Sequence, residues 1–109
     1  MMEPVTHRSR ARVDLLEQFV YFGEAASVEV ADRYFAAVEE TCTLLVKQPG
    51  LGATYDSGIA RLEGMRRFPV SGFEKYLIFY LTRPVGIDVI RVLHSARDIY
   101  NIFAEEESS

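Results

Sequence analysis

Along residues 12–22, Val13, Leu16, Phe19 and Val20 recur at helical spacing, and Leu15 and Phe22 widen the apolar stripe. That period predicts a helix of about three turns. Gly23 is the expected stop, with residues 24–26 adding a frayed turn. Ser27 then offers an N-cap oxygen, although Val30 stands where a capping box would place Glu. From there Val28, Ala31, Phe35, Val38, Cys42 and Leu45 recur at alternating steps of three and four. Glu29, Asp32, Arg33, Glu39, Glu40 and Lys47 lie on the other side, which predicts a second, longer amphipathic helix. It ends at "KQPG", because proline cannot continue the hydrogen-bond ladder. Two helices with so short a link form an antiparallel hairpin, stripes toward the core and Tyr21, Tyr34 and the charged positions outward.

Residues 50–64 hold four glycines and no sustained period, and read as a loop. Beyond them the pattern turns strand-like: "MRRFPV", "KYLIFYLT" and "GIDVIRVLH", separated by turn material at "SGFE" and "RPVG". Three strands with tight connections predict an antiparallel meander. Residues 76–81 are apolar almost throughout, as a central strand covered on both faces requires. Pro69 fits at the edge or end of its strand. The last stretch, "RDIYNIFAEEESS", predicts a short helix with Ile99, Ile102 and Phe103 on one side, then an acidic, mobile tail over 104–109.

Composition adds limits. A chain of 109 residues, 49% hydrophobic and without linker or repeat, is expected to fold as one domain over 1–109. Cys42 is the one cysteine, so it cannot pair within the chain; it is expected to pack as a small hydrophobe, in a reducing cytoplasm. No stretch approaches the roughly 20 apolar residues of a membrane span, and "MMEPVTHRSR" lacks the apolar centre of a secretion signal, so a soluble, intracellular protein is expected. The net charge of −4 argues against whole-surface affinity for nucleic acid. Yet residues 61–97 carry seven basic side chains (Arg61, Arg66, Arg67, Lys75, Arg83, Arg91, Arg97) against three acidic ones (Glu63, Glu74, Asp88). The second half thus offers a basic surface to an acidic partner or to RNA.

There is no glycine-rich phosphate loop, no zinc-binding His-Glu-x-x-His and no serine elbow. His7 and His94 are the only histidines and have no ligand-like spacing to a third group, so neither a metal site nor a cofactor is expected. Arg66 and Arg67 are adjacent in a strand and should face opposite ways, so at most one shares a surface with His94. In "RVLHSARDIY", His94 is followed by Arg97 and Tyr100, which share one side of a helix starting near Ser95. A histidine can move a proton and an arginine can stabilise charge on phosphate, the minimum for metal-free RNA cleavage through the ribose 2′-hydroxyl. The structural alternative is equally physical: His94 or Ser95 caps the last helix, Arg97 and Asp98 form ion pairs, and Tyr100 covers the core edge.

Three segments resemble one family. "ADRYFAAVEETCTLLVKQPGLG" (31–52), "GMRRFPVSGFEKYLIFY" (64–80) and "IRVLHSARDI" (90–99) are similar to the RelE/ParE superfamily of bacterial toxins, in its ParE-type, plasmid stabilisation branch. The resemblance runs over residues 12–102. It implies an α+β fold with a short N-terminal strand near residues 5–9, a helical hairpin packed on a small antiparallel sheet, and a short C-terminal helix. It also implies a type II toxin–antitoxin system with a cognate antitoxin, whose segment lies on the hairpin or the sheet edge and which alone contacts operator DNA.

The basic residues Arg66, Arg67, Arg83, Arg91 and Arg97 are the expected partner contacts. ParE-like members poison DNA gyrase by binding, without catalysis, whereas RelE-like members cut messenger RNA on the ribosome. The acidic balance, and "TYDSGIARLEG" in place of a lysine cluster, favour the gyrase poison. In the alternative, His94, Arg97, Tyr100 and Arg67 would carry endoribonuclease chemistry. A third reading is a folded relic that binds antitoxin and poisons nothing.

Overall fold

The computed structural model describes residues 3–108. In chain order the elements are β1 (Val5–His7), α1 (Ser9–Ala25), α2 (Val28–Lys47), β2 (Ala53–Thr54), a 3-10 turn (Ala60–Leu62), β3 (Arg66–Val70), β4 (Phe73–Thr82), β5 (Ile87–His94) and α3 (Ile99–Ser108). This is the α+β architecture expected from the sequence. The Ser27 hydroxyl accepts from the Val30 backbone N–H at 3.1 Å, so the hairpin turns where the cap was read. Helix α1 continues past Gly23 to Ala25, in keeping with the extra turn over residues 24–26.

The strands lie in the order β1-β5-β4-β3-β2. Strands β3, β4 and β5 form the antiparallel meander, with β4 in the centre. The sheet is mixed and not wholly antiparallel, because β1 runs parallel to β5, pairing Val5 with Ile87 and His7 with Val89. The intervening chain supplies the long crossover that a parallel pair needs. Part of the expected loop pairs as β2, which meets only Arg66 and Arg67 of β3, so Pro69 sits where the outer edge of β3 is open. Gly86, at φ +87°, lets the β4–β5 turn approach Pro4, whose carbonyl accepts from Ile87 N–H at 2.8 Å.

Both faces of the sheet are covered. Ala11, Leu15, Tyr34, Val38, Cys42 and Leu45 of the hairpin pack on Val70, Ile78, Tyr80, Ile87, Val89 and Val92. On the other face, Phe103 of α3 and Leu62 of the 3-10 turn pack with Met65, Phe79, Ile90 and Leu93. Ile78, Phe79 and Tyr80 are all fully buried, as a central strand demands.

Three expectations are corrected. Tyr34 faces the core and not solvent, its hydroxyl donating to Gln18 Oε1 at 2.5 Å. The expected stripe of α1 points largely outward: Val13, Leu16 and Val20 are exposed, and the buried positions are Ala11, Asp14 and Leu15. The cause is the short β1. It stops at the level of Val89, and farther along the open edge of β5 Asp14 accepts from Val92 N–H at 3.0 Å while Gln18 donates to Val92 C=O at 2.8 Å. Two polar side chains one helical turn apart therefore take the inward face and satisfy an edge that no strand covers. Finally, the chain from residue 104 is not a tail: α3 runs on through the acidic residues to Ser108, and only Ser109 of that stretch lies outside the described residues.

Candidate functional site

His94 is the last residue of β5 and is half-buried. Its Nδ1 accepts from Ala96 N–H at 3.0 Å, its carbonyl accepts from Arg97 N–H at 3.1 Å, and its ring stands edge-on to Tyr76 at 4.9 Å. These contacts hold the turn ahead of α3 and fall on Ala96 and Arg97, not on the helix itself, which begins at Ile99. Ser95 instead donates its backbone N–H to Lys75 C=O at 2.6 Å. Asp98 accepts from Asn101 Nδ2 at 2.6 Å, and Tyr100 does not cover the core edge, being 60% exposed.

Cross-strand register shows which candidates share a surface. His94 pairs with Tyr76 and Val92 with Ile78, on the hairpin side, whereas Arg67 pairs with Phe79, on the α3 side. His94 and Arg67 are therefore on opposite faces of the sheet. Arg67 lies over the Tyr55 ring at 5.4 Å. Burial pushes the Tyr55 phenol up, Arg67 opposes this, and Asp98 and Tyr100 add to it. The structure sets Arg67 over Tyr55 and leaves His94 across the sheet.

The remaining arginines of the predicted contact set are tied to the chain itself. Arg66 Nη1 donates to Gly52 C=O at 2.6 Å, holding the loop after α2. Arg83 Nη2 donates to Glu3 C=O at 2.9 Å. Arg91 is 1% exposed, gripped by Asp14 on one side and Glu106 on the other, which withdraws its guanidinium from any surface contact. Burial pulls its pKa down, but the hydrogen bonds and charges of Asp14 and Glu106 outweigh this and leave it raised. Arg67 and Arg97 remain exposed.

An extended concave feature lies elsewhere. A groove of about 790 Å³ runs between α1 and α2 down to the open edge of β1. Leu16, 64% exposed, and Phe35, 42% exposed, flank it, and Phe19 meets Phe35 edge-on at 6.3 Å. Cys42 and Val38 form its buried floor, where desolvation pushes the Cys42 thiol up to about 12. At the β1 end, burial and then Arg12 hold His7 below its usual value, against the opposing pull of Asp88, Glu3 and Glu39. A bare apolar floor bounded by a strand edge suits a protein segment more than a small polar substrate.

Sequence reasoning assigned these apolar residues to the core and missed the groove. The available signal was width. At 100° per residue, Val13, Leu15, Leu16, Phe19, Val20 and Phe22 span about half the circumference of α1, more than the stripe of roughly 100° that one packing face uses.

No described helix is long and apolar enough to cross a membrane. Compared with known proteins, residues 5–99 match the family model described as the ParE toxin of the type II toxin–antitoxin system, parDE. No match was found among curated proteins. Among solved structures, the chain is similar to one described as the chromosomal ParDE TA system from P. aeruginosa, with a TM-score of 0.67 and 16% identity, covering 85% of this chain and 96% of that one. At that identity the likeness is one of fold.

Proposed function

Because this chain belongs to the ParE toxin family of type II toxin–antitoxin systems, we propose that it poisons DNA gyrase in the cytoplasm by protein binding, and that a cognate antitoxin neutralises it by laying a segment in the α1–α2 groove. The groove is the observation that carries this reading. Leu16 and Phe35 expose apolar surface that no described residue covers, beside a strand edge able to accept a further strand. An antitoxin segment with apolar anchors would bury both. Arg67 and Arg97 are exposed basic side chains for target or antitoxin contacts, and operator DNA is reached only through the antitoxin.

A binding mechanism is favoured over cleavage by two features. The net charge is −4, poorly suited to ribosomal RNA, and His94 and Arg67 lie on opposite faces of the sheet. The test is a pulse-labelling time course after induction without antitoxin, following thymidine and methionine incorporation together. Early loss of DNA synthesis with translation intact is expected. Early collapse of translation would overturn the gyrase reading in favour of the ribonuclease, and no loss of either would mark an inert relic.

A further inference from the structure

The walls of the α1–α2 groove carry charge as well as apolar surface. Among the charged side chains lining it, Glu3, Asp32 and Glu39 are acidic and Arg12 is basic. His7, its pKa held down first by desolvation and then by Arg12, is neutral at pH 7. Asp32 and Glu39 stand on one side of α2, seven residues apart, with Phe35 between them. Both are exposed, and among the described residues no cation lies within 4 Å of either carboxylate. A carboxylate at the rim of an apolar groove loses part of its hydration when an occupant arrives, and a cation on that occupant compensates it best.

The spacing of the two carboxylates states the shape that suits them. Seven residues along α2 are about 10 Å. Side chains seven apart on a second helix lying along the groove match that distance and share a face. Same-side residues of an extended strand recur at about 7 and 14 Å and miss it. A helix also presents the apolar stripe that Leu16 and Phe35, on opposite walls, would bury. Arg12 belongs to the α1 wall, so the cationic flank of such a helix faces α2.

Building on the reading that the antitoxin lies in this groove, we propose that the groove selects a helix carrying two lysines or arginines seven residues apart beside an apolar stripe. The cations meet Asp32 and Glu39, and the stripe meets Leu16 and Phe35. The antitoxin segment seated there is therefore basic on the side facing α2. This runs against the basic excess of the second half of the chain, which by itself suggests an acidic partner. Arg66, Arg83 and Arg91 are bound within the chain, whereas the carboxylates of α2 are open to a partner.

The test is a fluorescence-anisotropy titration of the full-length protein with two labelled synthetic peptides of identical composition. Both carry one leucine stripe at helical spacing. The first places two lysines seven residues apart on the flank of the stripe, and the second places them on the face opposite it. Equal net charge removes any general attraction to an acidic protein. The wild type should bind the first peptide roughly tenfold or more tightly than the second at low salt, and the difference should shrink at high salt. Asp32→Asn with Glu39→Gln should bind the two equally, both substitutions falling on exposed side chains outside the core. Leu16→Glu should weaken both peptides. Equal binding that Leu16→Glu weakens would leave the groove reading standing and overturn the charge assignment, as would a preference that survives the double substitution. No binding of either peptide, or binding that Leu16→Glu does not weaken, would sink the groove reading and the proposal with it. Salt-sensitive self-association of the wild type, lost in the double variant, would assign the groove to a second copy of the chain and overturn the proposal equally.

Discussion

Asp14 holds Arg91 with both carboxylate oxygens, along the Nε–Nη2 edge of the guanidinium, and the same carboxylate accepts from Val92 N–H, so one acidic residue of α1 neutralises a buried charge and completes a strand edge. Removing it leaves Arg91 buried without its main counter-ion. Asp14→Ala should therefore cost about 3–5 kcal/mol, read as a fall in the urea midpoint. Replacing the pair together, Asp14→Leu with Arg91→Met, should cost clearly less than the single change, because the orphaned charge is gone. A double change as damaging as Asp14→Ala alone would show that packing, and not charge, dominates there.

The Tyr80 hydroxyl donates to Pro49 C=O at 2.8 Å and accepts from Gly52 N–H at 2.9 Å, which ties the loop after α2 to the central strand. A Cβ on residue 52 would stand 2.5 Å from that hydroxyl and 2.9 Å from Arg67 C=O. Tyr80→Phe should lower stability by about 1–3 kcal/mol, and Gly52→Ala by a similar amount through displacement of the loop. Thermal melts of the two variants give both numbers. A neutral Gly52→Ala would mean that the loop shifts freely.

Cys42, with its thiol pushed up to about 12 by burial, should resist iodoacetamide throughout the neutral range and react only when the chain unfolds. The pH dependence follows in sign. Between the ordinary thiol value and the raised one, the folded chain keeps a proton that the unfolded chain has released, so this residue subtracts stability as pH rises above about 9. Cys42→Ala should flatten that alkaline limb.

His7 titrates the other way. Its folded value is lowered, first by desolvation and then by Arg12, so on acidification the unfolded chain takes up the proton first. Stability should fall as pH drops below the ordinary value of 6.5 and level off below the folded one. His7→Gln should remove that slope in denaturant titrations across this range. Because His7 lines the groove, a bound antitoxin segment that dries it further should lower its NMR-detected pKa.

Leu16→Glu and Phe35→Glu place charges on exposed groove positions, so each should change stability by only about 0.5 kcal/mol. Each should weaken antitoxin binding roughly tenfold or more, about 1.4 kcal/mol. Replacing His94 and Tyr100 together, which leaves the proposed contact Arg97 in place, should leave toxicity intact under the gyrase reading. Loss of toxicity from that double variant in a protein that still melts normally would favour the ribonuclease.

The α+β class, the capped hairpin at Ser27, the meander with its central strand and the opposed directions of Arg66 and Arg67 were legible in the chain, because each follows from local period and turn chemistry. The family was legible too, in three ordered segments. Burial along α1 was not. A hydropathy period marks which residues are apolar, but the face that turns inward was decided by β1, too short to cover β5, so that Asp14 and Gln18 were needed at the open edge of Val92. That choice rotated Leu16 outward and helped form the groove.

The same limit applies to the end of the chain. Read locally, a run of glutamates after Phe103 opposes a helix terminus and predicts a solvated tail. Arg91, more than ten residues earlier in sequence and on a different element, reverses that balance by meeting Glu106 in space. Sequence determined the elements and their chemistry; contacts between residues distant along the chain, which no local period encodes, decided which faces remained open and which charges were spoken for.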